Sequence, residues 1–517
     1  FPARAIAHVL AGEPLTGIDL VVCDVSDGDT ARARAALTAA GYAGEVLLVE
    51  HHLAHAASAH FVAPDDGAAI LVVDAGGTRV AEWPPDRPPP ASFPGGAADQ
   101  ELQSFYLARG RRLERLHGTW SRPGLRLGIG WLYALVTLHL GFGPLDAGKT
   151  MGLAAHAPPR PADDVWPWLA PGGDLLFRSE VDVARPATAA RWLAELTGVP
   201  ARRGGEPLDE RHAAVAAKLQ RTTEAFMLAL ARQLHAATDA ETLCLAGGVA
   251  LNVLANRRLA DESPFRRVAV QPAATDTGIA LGCAIAGAIA RGVPIPLCPE
   301  VSCLARPPSA AEHDAAAARA EAEGFLVGRP ADLLGEVVAR LAAGQLVGWV
   351  EGASELGPRA LGHRSLLADA RDPAAKERVN ARVKHREAFR PFAPVVLEER
   401  ATELFELALP SANMLFAARV HEAARARVPA VTHADGTARV QTVSRTFPGR
   451  LRALLERFAA KTGVPALLNT SLNGPAEPIA ESPDDALALF LGSQMDALVL
   501  GDWLVAREPP PSPAAAP

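Results

Sequence analysis

Four short apolar runs in this chain each lead into a turn that contains glycine or other small polar residues. The runs are LVVCD at 20–24, AILVVD at 69–74, TLCLA at 242–246 and LVGWV at 346–350. A long helical pattern lies between them, at 212–238, with apolar residues at roughly helical spacing. Strands that feed glycine turns and alternate with helices are typical of α/β proteins. The sequence therefore predicts a mixed α/β fold.

A proline-dense stretch, PIPLCPEVSCLARPP at 294–308, suits neither a helix nor a central strand. A chain of 517 residues also exceeds what one hydrophobic core normally supports. We therefore predict a first domain at 1–300, a Pro-rich linker and connecting segment at 301–333, and a second α/β domain at 334–507. The remaining residues, 508–517, form a Pro/Ala tail that we expect to be disordered.

Composition and charge exclude several classes of function. The net charge of −7 argues against a general binder of nucleic acid, although a local basic pocket stays open. The five cysteines form no C-x-x-C pair, which indicates a reducing compartment. The sequence shows neither an apolar run of membrane-spanning length nor a signal-peptide pattern. We expect a cytoplasmic protein without membrane or nucleic-acid partners. A homodimer stays open.

Two histidines in EHHLAHAAS, His51 and His55, lie four residues apart, so on a helix their rings share one face. Taken alone, such a pair is more often a polar helix face than a metal site. A carboxylate would complete a two-His, one-carboxylate set, which is typical of iron. Asp276 in AATDTGIALG is the candidate, although capping of the following helix is its ordinary role.

Two glycine turns could approach phosphates with their backbone amides: Gly76-Gly77 after the strand at 69–74, and Gly247-Gly248 before VALNVLANRRL. Neither has the spacing of a known phosphate-loop motif, and both could be plain connectors. A third candidate is GKTMG, in which Lys149 stands between Gly148 and Gly152 and could neutralise a phosphate. A surface lysine is the commoner explanation for such a loop.

The second predicted domain holds the densest group of cations, many of them among apolar or ring-constrained residues. The group comprises Arg359, Arg364, Arg371, Lys384, Arg386 and Arg390. Residues 372–382 balance both signs of charge and fit a solvated helix, whereas GPRALGHRS and KHREAFRPFAP favour a pocket for a phosphate ligand. Further hydrogen-bonding candidates for phosphate and ribose follow in the chain: His433, Arg439, Asn469, Ser471 and Asn473.

Eight blocks, in order along the chain, resemble the carbamoyltransferases of the NodU/CmcH type. They are EHHLAHAAS, GKTMGLA, AGGVALN, QPAATDTG, GPRALGHRSLLADARDP, VKHREAFRPFAP, THADGTARVQTV and LLNTSLNGP. The resemblance implies a first domain of the actin/sugar-kinase/Hsp70 (ASKHA) type and a second domain of YrdC-like α/β fold. It also implies an ATP-dependent enzyme that uses carbamoyl phosphate, with Mg, to carbamoylate a hydroxyl of a small molecule.

The resemblance assigns roles to individual residues. It implies that Lys384, Arg390, Arg439 and Ser471 bind a carbamoyl-adenylate, with Arg359 and Asn473 beside the nucleotide. In the first domain it makes His51, His55 and Asp276 the ligands of a divalent metal, most naturally iron, with Asp276 also catalytic. Nucleotide would be held there by Gly247, Gly248, Lys149, Gly148 and Gly152. Members of the family begin with a further strand pair, so we expect the first domain to be truncated at its N-terminus.

Three other functions stay open at this point. One is a sugar-kinase-like phosphotransferase, which leaves the cations of the second domain unexplained. Another is a tRNA threonylcarbamoyl-transfer-like enzyme, for which a net charge of −7 is unfavourable. The last is an inactive nucleotide-binding relic.

Overall fold

The computed structural model describes residues 18–24, 30–83, 96, 99–110, 112–121, 126–169, 174–179, 182–298 and 301–508. The chain separates into two compact units. The first comprises Phe1–Thr150 and Pro159–Pro299, and the second comprises Met151–Pro158 and Glu300–Pro517. Residues 509–517 of the predicted tail lie outside the described residues.

The first unit is built on a five-stranded sheet of order β5-β4-β3-β8-β9. Its strands β3, β8 and β9 run parallel, whereas β4 and β5 form an antiparallel pair at one edge. Strand β3 reads AAILVV and is buried throughout, as expected for a strand covered on both faces. Strands β1 and β2 form a separate parallel pair, and β6 and β7 a short antiparallel one.

The strands of this unit are β1 (Leu20–Asp24), β2 (Glu45–Val49), β3 (Ala68–Val73), β4 (Gln100–Arg109), β5 (Arg112–Ser121), β6 (Arg126–Leu127), β7 (Phe177–Arg178), β8 (Thr242–Ala246) and β9 (Arg267–Val270). The helices are α1 (Thr30–Ala39), α2 (His51–Phe61), α3 (Ile129–His139), α4 (Ala147–Ala154), α5 (Pro186–Thr197), α6 (Glu210–Thr238), α7 (Val253–Glu262) and α8 (Ile279–Ala290). Helix α6 confirms the helix predicted at 212–238.

Helices α2 and α8 cross at very short range because both are made of small residues where they meet. Gly282 of α8 lies against Ala54 of α2, and a β carbon at Gly282 would stand only 1.9 Å from the Ala54 carbonyl oxygen. Helix axes approach this closely only over glycine or alanine. The crossing matters for function because α2 begins at His51 and the turn before α8 begins at Asp276.

We expect Gly282→Ala to lower the free energy of unfolding by about 2 kcal/mol, because the added methyl group meets backbone that cannot move aside. The matched control is Gly148→Ala, another helical glycine, where a β carbon would meet nothing within 4 Å. That control should be neutral or stabilising by up to about 1 kcal/mol, because alanine favours helix. Urea unfolding of both variants measures the difference. Equal stabilities would show that the crossing is looser than described.

The second unit is organised around a ten-stranded mixed sheet of order β10-β19-β18-β11-β12-β17-β13-β16-β15-β14. Strands β12 and β17 form its centre, where Leu367 lies opposite Asn469 and Ser365 opposite Ser471. Apolar clusters cover both faces: Phe392, Leu468 and Phe490 belong to one. Trp349 and Phe458 belong to the other. The hydrophobic core of this unit therefore lies on both faces of the sheet.

Its strands are β10 (Leu326–Gly328), β11 (Val347–Val350), β12 (Arg364–Asp369), β13 (Ala393–Leu397), β14 (Phe405–Glu406), β15 (Phe416–Val420), β16 (Thr437–Val443), β17 (Ala466–Ser471), β18 (Ala497–Leu500) and β19 (Trp503–Ala506). Its helices are α9 (Ala310–Ala322), α10 (Leu333–Ala342), α11 (Ala375–Val379), α12 (Glu422–Arg425), α13 (Leu451–Thr462) and α14 (Pro483–Gly492).

The stretch at 301–333, predicted as linker and connecting segment, contains regular structure. Ser309 caps helix α9 with its side chain, and strand β10 pairs with β19 in the main sheet. The proline pattern indicated an irregular stretch but gave no sign of the alanine-rich helix and short edge strand that follow it. Separately, within the described residues we find no helix that is both long and apolar enough to cross a membrane.

Candidate metal centre and anion site

The two histidines predicted to share a helix face do so at the first turn of α2. His51 and His55 are both buried, and their Nε2 atoms lie 3.2 Å apart. Their rings meet edge to face with centroids 4.6 Å apart. Two imidazole nitrogens thus converge on one point beside the N-terminus of the helix.

Two carboxylates complete this group. Asp276 Oδ1 lies 3.4 Å from His51 Nε2 and 3.7 Å from His55 Nε2. Asp74 Oδ2, at the end of strand β3, lies 3.1 Å from His55 Nε2 and 3.9 Å from His51 Nε2. The structure thus brings the three predicted ligands together and adds Asp74. Thr275 occupies the capping position before the turn, so the carboxylate of Asp276 is directed to the histidines instead.

Asp24, at the end of strand β1, fixes the orientation of His51. Its Oδ2 lies 3.1 Å from His51 Nδ1, so Nδ1 donates to the carboxylate and Nε2 is left to face the other ligands. Burial opposes a charge on His51, yet Asp24, Asp276 and Asp74 together raise the pKa of His51 to about 12. Hydrogen bonds from His51 and His55 lower the pKa of Asp276 below its ordinary value. Protonated His51 and His55 therefore compensate the charge of the carboxylates when no metal is bound.

These four side chains fit a divalent metal. Each offers one ligand atom, and the four atoms all lie within 4.8 Å of one another. Separations near 3–4 Å are those expected between nitrogen and oxygen ligands that each stand about 2 Å from a shared ion. Two imidazoles with carboxylates suit iron, zinc or a related transition metal. Binding would require neutral imidazoles and so would displace protons from the histidines.

We expect Asp24→Asn to weaken metal binding about 10–100-fold while leaving all four candidate ligands in place, because an amide holds the His51 tautomer less firmly than a carboxylate. Competition with a chromophoric chelator measures the affinity. The matched control is Asp261→Asn, a surface residue paired with Arg257 on α7. If Asp24→Asn binds as tightly as wild type, its contact with His51 does not tune the centre.

The Gly247-Gly248 turn joins this group through Asp74. The Gly248 amide donates to Asp74 Oδ2 at 3.2 Å, and the Ala75 amide donates to Oδ1 at 2.6 Å. Gly247 adopts φ +87°, and a β carbon there would stand 2.2 Å from the Val73 carbonyl oxygen. The turn therefore needs glycine at 247. It opens a short 3-10 turn, Gly248–Leu251, before helix α7.

Lys149, Gly148 and Gly152 all lie on helix α4. The Lys149 ammonium lies 3.0 Å from Asp146 Oδ2 and 6.0 Å from the centre of the Phe142 ring. These contacts show a lysine that is already compensated by a carboxylate on its own segment. Its predicted nucleotide contact stays a prediction.

In the second unit, a group of cations lies close enough for its members to lower one another's pKa. Burial and Arg390 lower the pKa of Arg359 to about 10 and that of Arg386 to about 9. Burial, followed by Arg359, Arg386 and Arg390, lowers the pKa of Arg439. The Nε atoms of Arg359 and Arg439 are buried, with no hydrogen-bond partner among the described residues. Such an arrangement suits a multiply charged anion.

Lys384 is buried in the same unit, and its ammonium is surrounded by oxygens. Its Nζ lies 3.1 Å from Ser471 Oγ and 2.6 Å from Asn473 Oδ1, and it also contacts the backbone carbonyls of these two residues. Burial, then Arg386 and Arg390, lower the pKa of Lys384 well below its ordinary value. Lys384, Ser471 and Asn473, which the sequence placed in the candidate nucleotide site, therefore contact one another.

The backbone that presents Lys384 is unusual. Asn380–Lys384 forms a π-helical turn, closed by the His385 amide donating to the Asn380 carbonyl at 2.7 Å. His385 then adopts φ +44°, which is rare for a residue with a side chain. Single π turns recur at functional sites because they re-aim side chains. Here the turn ends at Lys384, which is buried.

Two arginines of the predicted cation group have other partners. Arg364 is fully buried and donates to backbone carbonyls, among them Glu481 and Gly352 at 3.0 Å. Arg371 forms a paired contact with the carboxylate of Asp369 at 2.7 Å. These contacts assign both arginines to holding the fold. The remaining members of the group are Arg359, Lys384, Arg386 and Arg390, joined by Arg439.

Taken together, the folds and sites define a two-unit α/β protein with a candidate metal centre in one unit and a candidate anion site in the other. Two family descriptions match the chain: carbamoyltransferase N-terminus over residues 31–285, and carbamoyltransferase C-terminus over residues 338–507. The chain belongs to the carbamoyltransferase family of enzymes, as the eight sequence blocks predicted.

Among similar proteins is nodulation protein NolO of Bradyrhizobium diazoefficiens, 39% identical over 74% of this chain and 69% of that protein. Nodulation protein NolNO of Sinorhizobium fredii is 36% identical over 89% of this chain and 64% of its own length. An uncharacterized protein of Synechocystis sp. is 34% identical over 90% of this chain and 77% of that protein. A crystal structure of full-length HypF in the phosphate- and nucleotide-bound form aligns with a TM-score of 0.33 and 15% identity, over 53% of this chain and 46% of that one.

Proposed function

We propose that this chain is an ATP-dependent O-carbamoyltransferase that works through a carbamoyl-adenylate. The observation that carries the proposal is a group of partly buried cations in the second unit. Burial and neighbouring cations lower the pKa of Arg359 and Arg439, and the Nε donors of both are buried without a hydrogen-bond partner among the described residues. In a carbamoyltransferase, such a group favours substrates as anionic as ATP and carbamoyl phosphate. We assign the second domain, 334–507, to a YrdC-like fold and the first, 1–300, to the ASKHA type.

In the proposed first reaction, water hydrolyses carbamoyl phosphate to carbamate and inorganic phosphate. An oxygen of the carbamate then attacks the α-phosphorus of ATP. A carbamate–phosphorus bond forms, the bond to the β-phosphate oxygen breaks, and pyrophosphate leaves. Arg359, Arg390 and Arg439 would bind the phosphates and offset the charge that develops on them. Lys384, held by Ser471 and Asn473, would contact the adenylate. Enclosure of these groups would protect the intermediate from hydrolysis.

In the proposed second reaction, a hydroxyl oxygen of a small-molecule acceptor bonds to the carbamoyl carbon, AMP leaves and the hydroxyl proton is lost. His51, His55, Asp74 and Asp276 would hold a divalent metal, iron being favoured, which when bound supplies Lewis-acid chemistry. The Gly247-Gly248 turn and Lys149 would lie beside the nucleotide. The product is a carbamate ester of the acceptor.

The proposal predicts that the wild-type chain exchanges labelled pyrophosphate into ATP only when carbamoyl phosphate is present. A kinase-like activity would instead release ADP and would not exchange pyrophosphate. Assays with and without carbamoyl phosphate, at equal ATP and magnesium, distinguish the two. Exchange that is absent or independent of carbamoyl phosphate would reject adenylate formation.

A further inference from the structure

The central strand β17 carries a buried amide, Asn469, that the proposed reactions leave without a role. Asn469 is fully buried, and its Oδ1 has no hydrogen-bond partner among the described residues. We propose that Asn469 Oδ1 accepts a hydrogen bond from the NH2 of the carbamoyl group and thereby selects carbamoyl phosphate over other acyl phosphates. This inference rests on the proposed function of the second domain.

The orientation of the amide follows from its partners. Asn469 Nδ2 donates to the Ala360 carbonyl at 3.1 Å and to Gln441 Oε1 at 2.8 Å. Gln441 is itself fixed, because its Nε2 donates to the Leu361 carbonyl at 2.8 Å. Rotating either amide by half a turn would set oxygen against oxygen. Asn469 therefore presents Oδ1, and only Oδ1, to a further partner.

The position of Asn469 is next to the cations. Side chains two apart on a strand share a face, so Asn469 lies beside Ser471, whose hydroxyl contacts Lys384. Its partner Gln441 stands in the same relation to Arg439 on strand β16. Its other partner, Ala360, directly follows Arg359. The amide thus connects three of the segments that carry the anion site.

Asn469 Oδ1 differs from the neighbouring lysine and arginine side chains because it accepts a hydrogen bond. Lysine and arginine side chains only donate hydrogen bonds, so they recognise phosphate and carbonyl oxygens but not an amino group. A carbamoyl group differs from an acetyl group by bearing NH2, which needs an acceptor when buried. A site that offers a buried acceptor penalises a ligand that cannot use it, since the acceptor stays unpaired. Asn469 Oδ1 meets that requirement.

The test compares carbamoyl phosphate with acetyl phosphate in the full chain. The measured quantity is the ratio of the inhibition constant of acetyl phosphate to the KM of carbamoyl phosphate in ATP–pyrophosphate exchange. We expect Asn469→Leu, which keeps the branch at the γ carbon and removes the oxygen, to lower this ratio at least tenfold. A merely structural role would weaken both ligands alike and leave the ratio unchanged, which would overturn the inference. A change in the KM of ATP alone would also overturn it, assigning Oδ1 to the adenine amino group.

Gln441→Met provides a second variant if Asn469→Leu does not fold. It leaves Asn469 Oδ1 present but removes the acceptor that orients the amide, so the ratio should fall by a smaller factor, about two- to fivefold. An unchanged ratio in Gln441→Met would overturn the inference in that case. Carbamoyl-phosphate-dependent exchange by wild type is measured first. Its absence would reject the proposed function, whereas its presence with unchanged ratios would reject only the role of Asn469.

Discussion

Lys384→Ala is expected to reduce carbamoyl-phosphate-dependent pyrophosphate release by at least about 10²-fold. The ammonium of Lys384 is buried and has four oxygen contacts, from the backbone and side chains of Ser471 and Asn473. Burial, followed by Arg386 and Arg390, lowers its pKa, and an anionic ligand would restore its charge. The substitution removes the positive charge of the lysine. It also removes the hydrogen bonds that hold Ser471 at the end of β17.

The matched control is Lys461→Ala, which removes the same side chain from an exposed position on helix α13. It should release pyrophosphate at the wild-type rate. Because Lys384→Ala also leaves the carbonyls of Ser471 and Asn473 without their donor, its folded state is verified by urea unfolding before activity is compared. Wild-type pyrophosphate release by folded Lys384→Ala would contradict the assignment of the anion site.

The sequence predicted part of the candidate metal centre. The spacing of His51 and His55 indicated a shared face, and the structure bears this out because the residues form the first turn of α2. Asp74 stands at the end of the apolar run at 69–74 and was not predicted as a ligand, since nothing local marks an aspartate at a strand end as one. Asp24 was missed for a related reason. Its contact with His51 depends on where strand β1 ends relative to α2, which spacing along the chain does not encode.

The cation group shows a second limit. Charge density and flanking glycine, proline and phenylalanine predicted a pocket, and burial together with the charge of Arg390 does lower the pKa of Arg359, Arg386 and Lys384. Arg364 belongs to the same sequence block, yet its guanidinium caps backbone carbonyls. The direction of each arginine side chain depends on the alternation of faces along a strand and on the backbone conformation where a loop ends. The sequence predicted the composition of the site better than the direction of its side chains.

The fold was predictable at the level of class. Apolar runs that became β1, β3, β8 and β11 supported a mixed α/β protein. The ten-stranded sheet was not predictable, because its antiparallel and parallel pairs join segments as distant as Leu326 and Ala506. Short edge strands such as β14, with two residues, carry no periodic pattern to recognise.

Asp276→Ala is expected to separate the two proposed reactions. Asp276 Oδ1 lies within 3.7 Å of both histidine Nε2 atoms in the first unit, whereas the cations proposed for adenylation belong to the second. Loss of one metal ligand should reduce metal content and lower acceptor carbamoylation by at least about 10²-fold. Pyrophosphate release should stay near the wild-type rate. The matched control is Asp163→Ala, an exposed aspartate of the first unit.

The central claim is that this carbamoyltransferase forms carbamoyl-adenylate in one domain and transfers its carbamoyl group to the acceptor in the other. The direct test measures pyrophosphate release and carbamoylated product in the same reactions, with wild type, Lys384→Ala and Asp276→Ala and a small-molecule hydroxyl acceptor that wild type carbamoylates. The account predicts that Lys384→Ala loses both signals, whereas Asp276→Ala keeps pyrophosphate release and loses product. Folded Asp276→Ala that loses both signals, or folded Lys384→Ala that keeps either, would contradict it.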